Sequence, residues 1–236
     1  MTKFTKGIRP AMLSSAAARK ALDHLNVEEF EYTFKTIDQL SEVWSSLSIL
    51  RETADSRLTR EARALAYRDQ HRKAQEHAGT LLRVATERLE ARRNTLRNDA
   101  FKRAGLLEQY PQAEEVRKAL RELSQAERDS AISEAIDRGD AWIIASIRNF
   151  PPLLTGKLTM SREMIEDLFV DRAAPELREQ MTEIDTALQS LDFAASSFNA
   201  ATEEMRDIEA EDKANADAAK VAEAEAAFSK AIAQLN

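Results

Sequence analysis

Three histidines, 41 carboxylates and no cysteine are the residues from which this chain would have to build any chemistry. His71 and His77 are six apart, so a helix of ~3.6 residues per turn carries them on different faces. His24 lies far off in the sequence. A zinc or di-iron site needs convergent ligands at helical spacing, and neither Glu-x-x-His nor His-x-x-x-His occurs. Without cysteine there is no thiolate nucleophile and no disulfide. The five glycines are too scattered for a phosphate loop, and no Gly-x-Ser-x-Gly elbow is present. The carboxylates follow helix-surface spacing, which singles out no acid–base pair. The expectation is a non-enzymatic protein with no catalytic, cofactor-binding or metal residues.

A second candidate chemistry is phosphate binding by Arg83, Arg88, Arg92, Arg93, Arg97 and Arg103. Net charge is −7, glutamates are interleaved with these arginines, and stacking aromatics are missing. Nucleic acid is therefore disfavoured as a partner. The charge is instead sorted along the chain. Residues 51–105 hold 14 basic and 8 acidic side chains, and residues 157–236 hold 8 basic and 18 acidic. Sign separation between long helices favours their pairing, within or between chains. Arg138-Gly139-Asp140 matches an integrin-binding tripeptide, but each residue has a local task at a helix junction, with glycine as stop and aspartate as cap.

The elements that would position any site are helices throughout. Glycine and proline number five each, and 32% of residues are charged, the profile of an all-α chain. Residues 1–26 read as an N-terminal arm. Residues 27–105 form a helical region. It opens with an apolar stripe from Val27 through Phe30, Phe34, Ile37, Leu40, Trp44 and Leu47 to Leu50, and Trp44 is expected in the core. A basic helix follows, with Thr59 as N-cap and Gly105 just past its end, about 70 Å long at ~1.5 Å per residue. Its stripe is mostly small: Ala64, Tyr67, His71, Ala74, Ala78, Leu82, Ala85, Leu89, Arg92, Leu96 and Ala100. Residues 106–160 form a head of short helices, with Ser124 and Glu127 as a capping box and Gly139 as a stop. Phe150, Pro151, Pro152, Leu153 and Leu154 make a stiff apolar loop that either packs back on the short helices or stays exposed as a contact surface, and they are the candidate partner contacts. Residues 161–236 are a long acidic helix and C-terminal tail. Ser161 caps its first part, and Pro175 either starts a new helix or kinks a continuous one. The seam then runs Leu177, Met181, Ile184, Leu188, Leu191, Ala195, Phe198, Thr202, Met205. It weakens over 208–220 and resumes at Val221, Ala224, Phe228, Ala231 and Leu235. The predicted fold is all-α, a long antiparallel helical hairpin or coiled coil with a small head. No apolar run is long enough to span a bilayer.

The segment Ala135-Ile-Asp-Arg-Gly-Asp-Ala-Trp-Ile-Ile-Ala-Ser-Ile, continuing through Phe150-Pro-Pro-Leu-Leu-Thr-Gly156, resembles a Gly-Asp, short-helix, Pro, Leu-x-Gly segment of uncharacterised helical virion or assembly proteins of tailed bacteriophages. A long Arg/Ala/Glu helix and the Leu106-Leu-Glu-Gln-Tyr-Pro111 turn precede it, as in that group. The resemblance covers about a third of the chain. It implies an oligomeric structural protein that binds itself and other structural proteins. It also implies a virion location after assembly in the host cytoplasm. The alternatives are an intracellular coiled-coil adaptor and a phage scaffolding or ejection protein.

Overall fold

The structure, a computed structural model, describes residues 28–53, 57–148 and 150–233. The expected arm, with His24, lies outside the described residues. Among the described residues every regular element is a helix. In chain order these are α1 (Glu28–Glu52), α2 (Arg60–Arg103), α3 (Ala113–Glu122), α4 (Gln125–Arg138), α5 (Ala141–Arg148), α6 (Pro152–Thr155), α7 (Arg162–Ala173), α8 (Pro175–Glu203) and α9 (Ile208–Ala233). The chain divides into two compact units. One takes Met1–Arg88 and Ala187–Asn236, and the other takes Leu89–Thr186. The divisions fall inside α2 and α8.

In the first unit, α1 contributes the bulk of the core. Phe30, Phe34, Ile37, Leu40, Trp44 and Leu47 are all buried, whereas Leu50, at the end of the stripe, is exposed. The α2 side is lean. Ala64, Ala78 and Ala85 are buried, along with Tyr67 and His71. Large side chains on one helix and alanines on another let the backbones approach closely while the core stays filled. Thr59 caps α2 as expected: its hydroxyl accepts from Ala62 N–H at 3.2 Å and its carbonyl from Arg63 N–H at 3.0 Å. Contacts between α2 and the region around the end of α8 climb in residue number on one side as they descend on the other. Tyr67 Oη donates to Met205 Sδ (3.2 Å), His71 Nε2 lies 3.6 Å from Glu203, and Gln75 Nε2 donates to Thr202 Oγ1 (2.8 Å). That order is antiparallel. The Arg88 guanidinium lies 4.0 Å over the Tyr32 ring of α1, a cation–π contact.

The second unit is built from short helices, so its order comes from their ends. Ser124 and Glu127 form the complete capping box at the start of α4, and Gly139 closes that helix at φ +74°. Gly139 N–H and Asp140 N–H donate back to the carbonyls of Ile136 and Ala135, the left-handed termination that glycine adopts without penalty. Asp140 accepts from Ile143 N–H through its carbonyl. Ser161 caps α7, accepting from Met164 N–H at 3.2 Å. Pro175 starts α8 as a new helix after Ala174, whose φ of −146° breaks the helical path. The core holds Phe101, Leu106, Leu120, Ile132, Ile144, Ile147, Ile165 and Phe169.

The α8 seam differs in detail from the heptad expectation. Ala187 and Ala194 are fully buried, whereas Leu188 and Ala195 are only half-buried. The helix buries Ala187 and Ala194 and leaves the longer Leu188 only half-covered beside them.

Candidate interaction surface

The five predicted contact residues are placed unevenly in the second unit. Phe150 is half-buried, and the Arg117 guanidinium stacks 3.7 Å above its ring. Arg117 also donates to the Ser146 carbonyl at 3.2 Å, so the ring and the end of α5 are held by one side chain from α3. Pro151 is exposed, and its carbonyl accepts from Leu154 N–H at 2.9 Å. Pro152, Leu153 and Leu154 form the single turn α6, which packs against α3. Leu154 is exposed. Thr155 is fully buried and accepts from Arg162 at 3.4 Å. The loop is anchored at both ends and presents Pro151 and Leu154.

Its anchor is a residue that sequence reading passed over. Arg128 of α4 is buried, and its guanidinium donates to three backbone carbonyls: Leu120 at 2.7 Å, Leu123 at 2.7 Å and Lys157 at 2.6 Å. Leu120 and Leu123 lie at the C-terminal end of α3, where unpaired carbonyls and the helix dipole favour a cation. Lys157 follows the α6 turn, so one side chain ties α3, α4 and that turn together. Gly156 makes room for it: its φ is +81°, and a Cβ there would fall 2.2 Å from Arg128 Cζ. The signal was an arginine one helical turn beyond a cap serine, but only the folded chain brings the Lys157 carbonyl to it.

Further exposed apolar side chains in this unit are Leu107, Trp142, Met164 and Leu168. Met164 and Leu168 are four apart and share one face of α7. None of these was singled out from the sequence, because isolated apolar residues on helices look like core positions until burial is known. Glu166, on the buried side of the same helix, lies 3.4 Å from Arg148 and 3.9 Å from Arg97. Burial still pushes its pKa up, with both arginines pulling it down.

The arginine row is largely committed to the chain itself. Arg83 pairs with Glu87, Arg88 with the Tyr32 ring, Arg93 with Asp185 and Arg103 with Glu176, and Arg97 faces Glu166. Sorted charge is thus spent on pairing within each unit. Arg138 pairs with Glu134 one turn earlier on α4, so the Arg-Gly-Asp tripeptide serves its helix junction.

In the first unit a half-open cleft of about 400 Å³ is lined by Leu50, Leu58, Tyr67 and Met205, with Arg60 and Arg63 at its edge. Arg60 is held there by two bonds to Asp207 (2.7 and 2.8 Å) and one to Glu209 (2.9 Å). Burial pushes the Tyr67 hydroxyl up to about 12, so it stays a neutral donor. The described lining offers apolar packing from Leu50, Leu58 and Met205 and hydrogen bonding from Tyr67 and Gln70. His77 is exposed and His71 buried. Among the described residues no three metal-ligating side chains are grouped to hold an ion, and no helix is long and apolar enough to cross a membrane. Among the described residues the chain is all-helical, with several large apolar side chains exposed. Comparison with known protein families, curated proteins and solved structures gives no match.

Proposed function

We propose that this protein is a non-enzymatic, homo-oligomeric structural or assembly protein, a capsid-, connector- or tail-associated component of a tailed-phage virion. The observation that carries the reading is the contrast between spent charge and unspent apolar surface. Arg60, Arg93 and Arg103 are paired inside the chain, while Trp142, Leu154, Met164, Leu168 and Phe228 stand exposed. Exposed large apolar groups on otherwise satisfied helices suit protein–protein contact. In this reading α2 and α8 pair as an antiparallel coiled coil, the short helices α3 to α7 form a head, and Pro151 and Leu154 meet other structural proteins. The antiparallel order of contacts in each unit supports the first part. The likeness of residues 135–156 to helical phage assembly proteins supports the particle.

Size-exclusion chromatography with light scattering tests the reading. The expected mass is a multiple of the 26.5 kDa chain. A monomer at every accessible concentration overturns it. Mass spectrometry of purified phage particles encoding the chain is expected to find it at a stoichiometry fixed relative to the major structural proteins.

A further inference from the structure

We infer that the outer half of α9 pairs with the same helix of a second copy, as a parallel two-stranded coiled coil. The inference deepens the homo-oligomer reading and rests on it. α9 begins as a packed helix. Asp207 caps it, accepting from Ala210 N–H at 3.2 Å, and Ala210 and Glu211 are buried. Lys213 reaches Glu61 at 2.6 Å and Asn215 accepts from Arg68 at 3.2 Å, both on α2. From Asn215 to Lys230 every residue is exposed. The face that carries Ala210 and Ala214 is interrupted by Asp217 and resumes along the helix as Val221, Ala224 and Phe228, with Ala214, Val221 and Phe228 spaced by seven. Val221 is 56% exposed and Phe228 68%. The face is buried at its root, and beyond Asp217 the described residues leave Val221 and Phe228 uncovered.

Charge selects the partner and its direction. With Val221 and Phe228 at position a and Ala224 at d, Lys220 falls at g and Glu225 at e. In a parallel pair of identical helices, g of one chain faces the following e of the other, so Lys220 meets Glu225 twice across the two-fold axis. In an antiparallel pair g faces g and e faces e, which sets lysine against lysine and glutamate against glutamate. Among the described residues Lys220 makes a 3.4 Å contact to Asp217, with both side chains exposed, so exchanging it for an intersubunit pair costs little. Alanine at d keeps the two backbones close, and Phe228 supplies most of the buried area.

Because the chain has no cysteine, Ala224→Cys reports the arrangement cleanly. Parallel pairing puts the two introduced thiols opposite each other and predicts rapid disulfide-linked dimers on mild oxidation. Sedimentation equilibrium of the full chain supplies the second readout. Phe228→Glu is expected to weaken association about tenfold or more. Lys220→Glu is expected to weaken it about threefold, with Lys220→Glu/Glu225→Lys restoring it. All these positions are exposed, and circular dichroism of each variant verifies that the fold is kept. An oligomer unchanged by Phe228→Glu, or one that Ala224→Cys fails to link, overturns the inference and leaves the homo-oligomer reading standing. A wild-type chain that is monomeric throughout sinks both.

Discussion

The two units reach stability by different means. The first is made from a few long helices, and its interior is a match of shapes: six large side chains from α1 beside a lean row of alanines on α2. The second includes five helices of 4 to 14 residues, in which end groups make up much of the backbone. Each helix leaves its first N–H groups and last carbonyls without intrahelical partners. There the fold depends on caps: Ser124, Gly139, Ser161, and above all Arg128 on its three carbonyls. Long helices dilute the cost of their ends, while short ones must satisfy them one by one.

The chain carries one tryptophan in each unit, Trp44 and Trp142, so single-tryptophan variants read the two separately. The largest effect is expected from Arg128→Ala in the Trp44→Phe background. It strips three carbonyls of their donor, one bond buried and two part-buried, and should cost about 2–4 kcal/mol in urea unfolding followed by Trp142 fluorescence. A loss below about 1 kcal/mol would mean that water replaces the guanidinium, and the contrast between the units would fail. Next comes Leu40→Ala in the Trp142→Phe background. Leu40 is fully buried, and truncation there should cost about 2–4 kcal/mol, read by Trp44. A much smaller loss would show that this core collapses easily around a void.

The smallest expected effect is on pH dependence. His71 is buried, and burial holds its pKa below the ordinary value, with Glu203 pulling the other way. The folded chain therefore keeps a neutral imidazole, while the unfolded chain takes up a proton near pH ~6.5. The sign follows from linkage: the stabilisation is present above that value and is lost as pH falls through it toward the lowered folded pKa. Urea midpoints reported by Trp44 should drop between about pH 7.5 and 5.5, and His71→Gln should flatten the slope. An unchanged slope in that variant would assign the dependence to other groups.

Local signals were legible. Ser124, Gly139, Ser161 and Thr59 act on backbone groups within a few residues, so a short window of sequence contains both partners. The α1 stripe and the burial of Trp44 followed from helical spacing. Three things were not legible. Arg128 takes one of its carbonyls from Lys157, 29 residues on. Phe101 is buried beside Ala100, because the end of α2 widens its apolar face where Arg97 and Arg148 cover the ring at 5.1 and 4.3 Å. The loop at Phe150 could equally pack back or stay exposed on sequence grounds, and the Arg117 guanidinium stacks on its ring.

The sequence by itself determined that this chain is helical and where most helices start and stop, because those choices rest on propensity and on hydrogen bonds between near neighbours. It also determined that opposite charges are sorted into separate stretches. Only the tertiary structure decided that those stretches answer each other within one chain, that Ala187 and not Leu188 is fully buried, and which apolar side chains remain uncovered. Burial and pairing depend on residues far apart in the chain, and helical periodicity fixes a face without naming what lies against it.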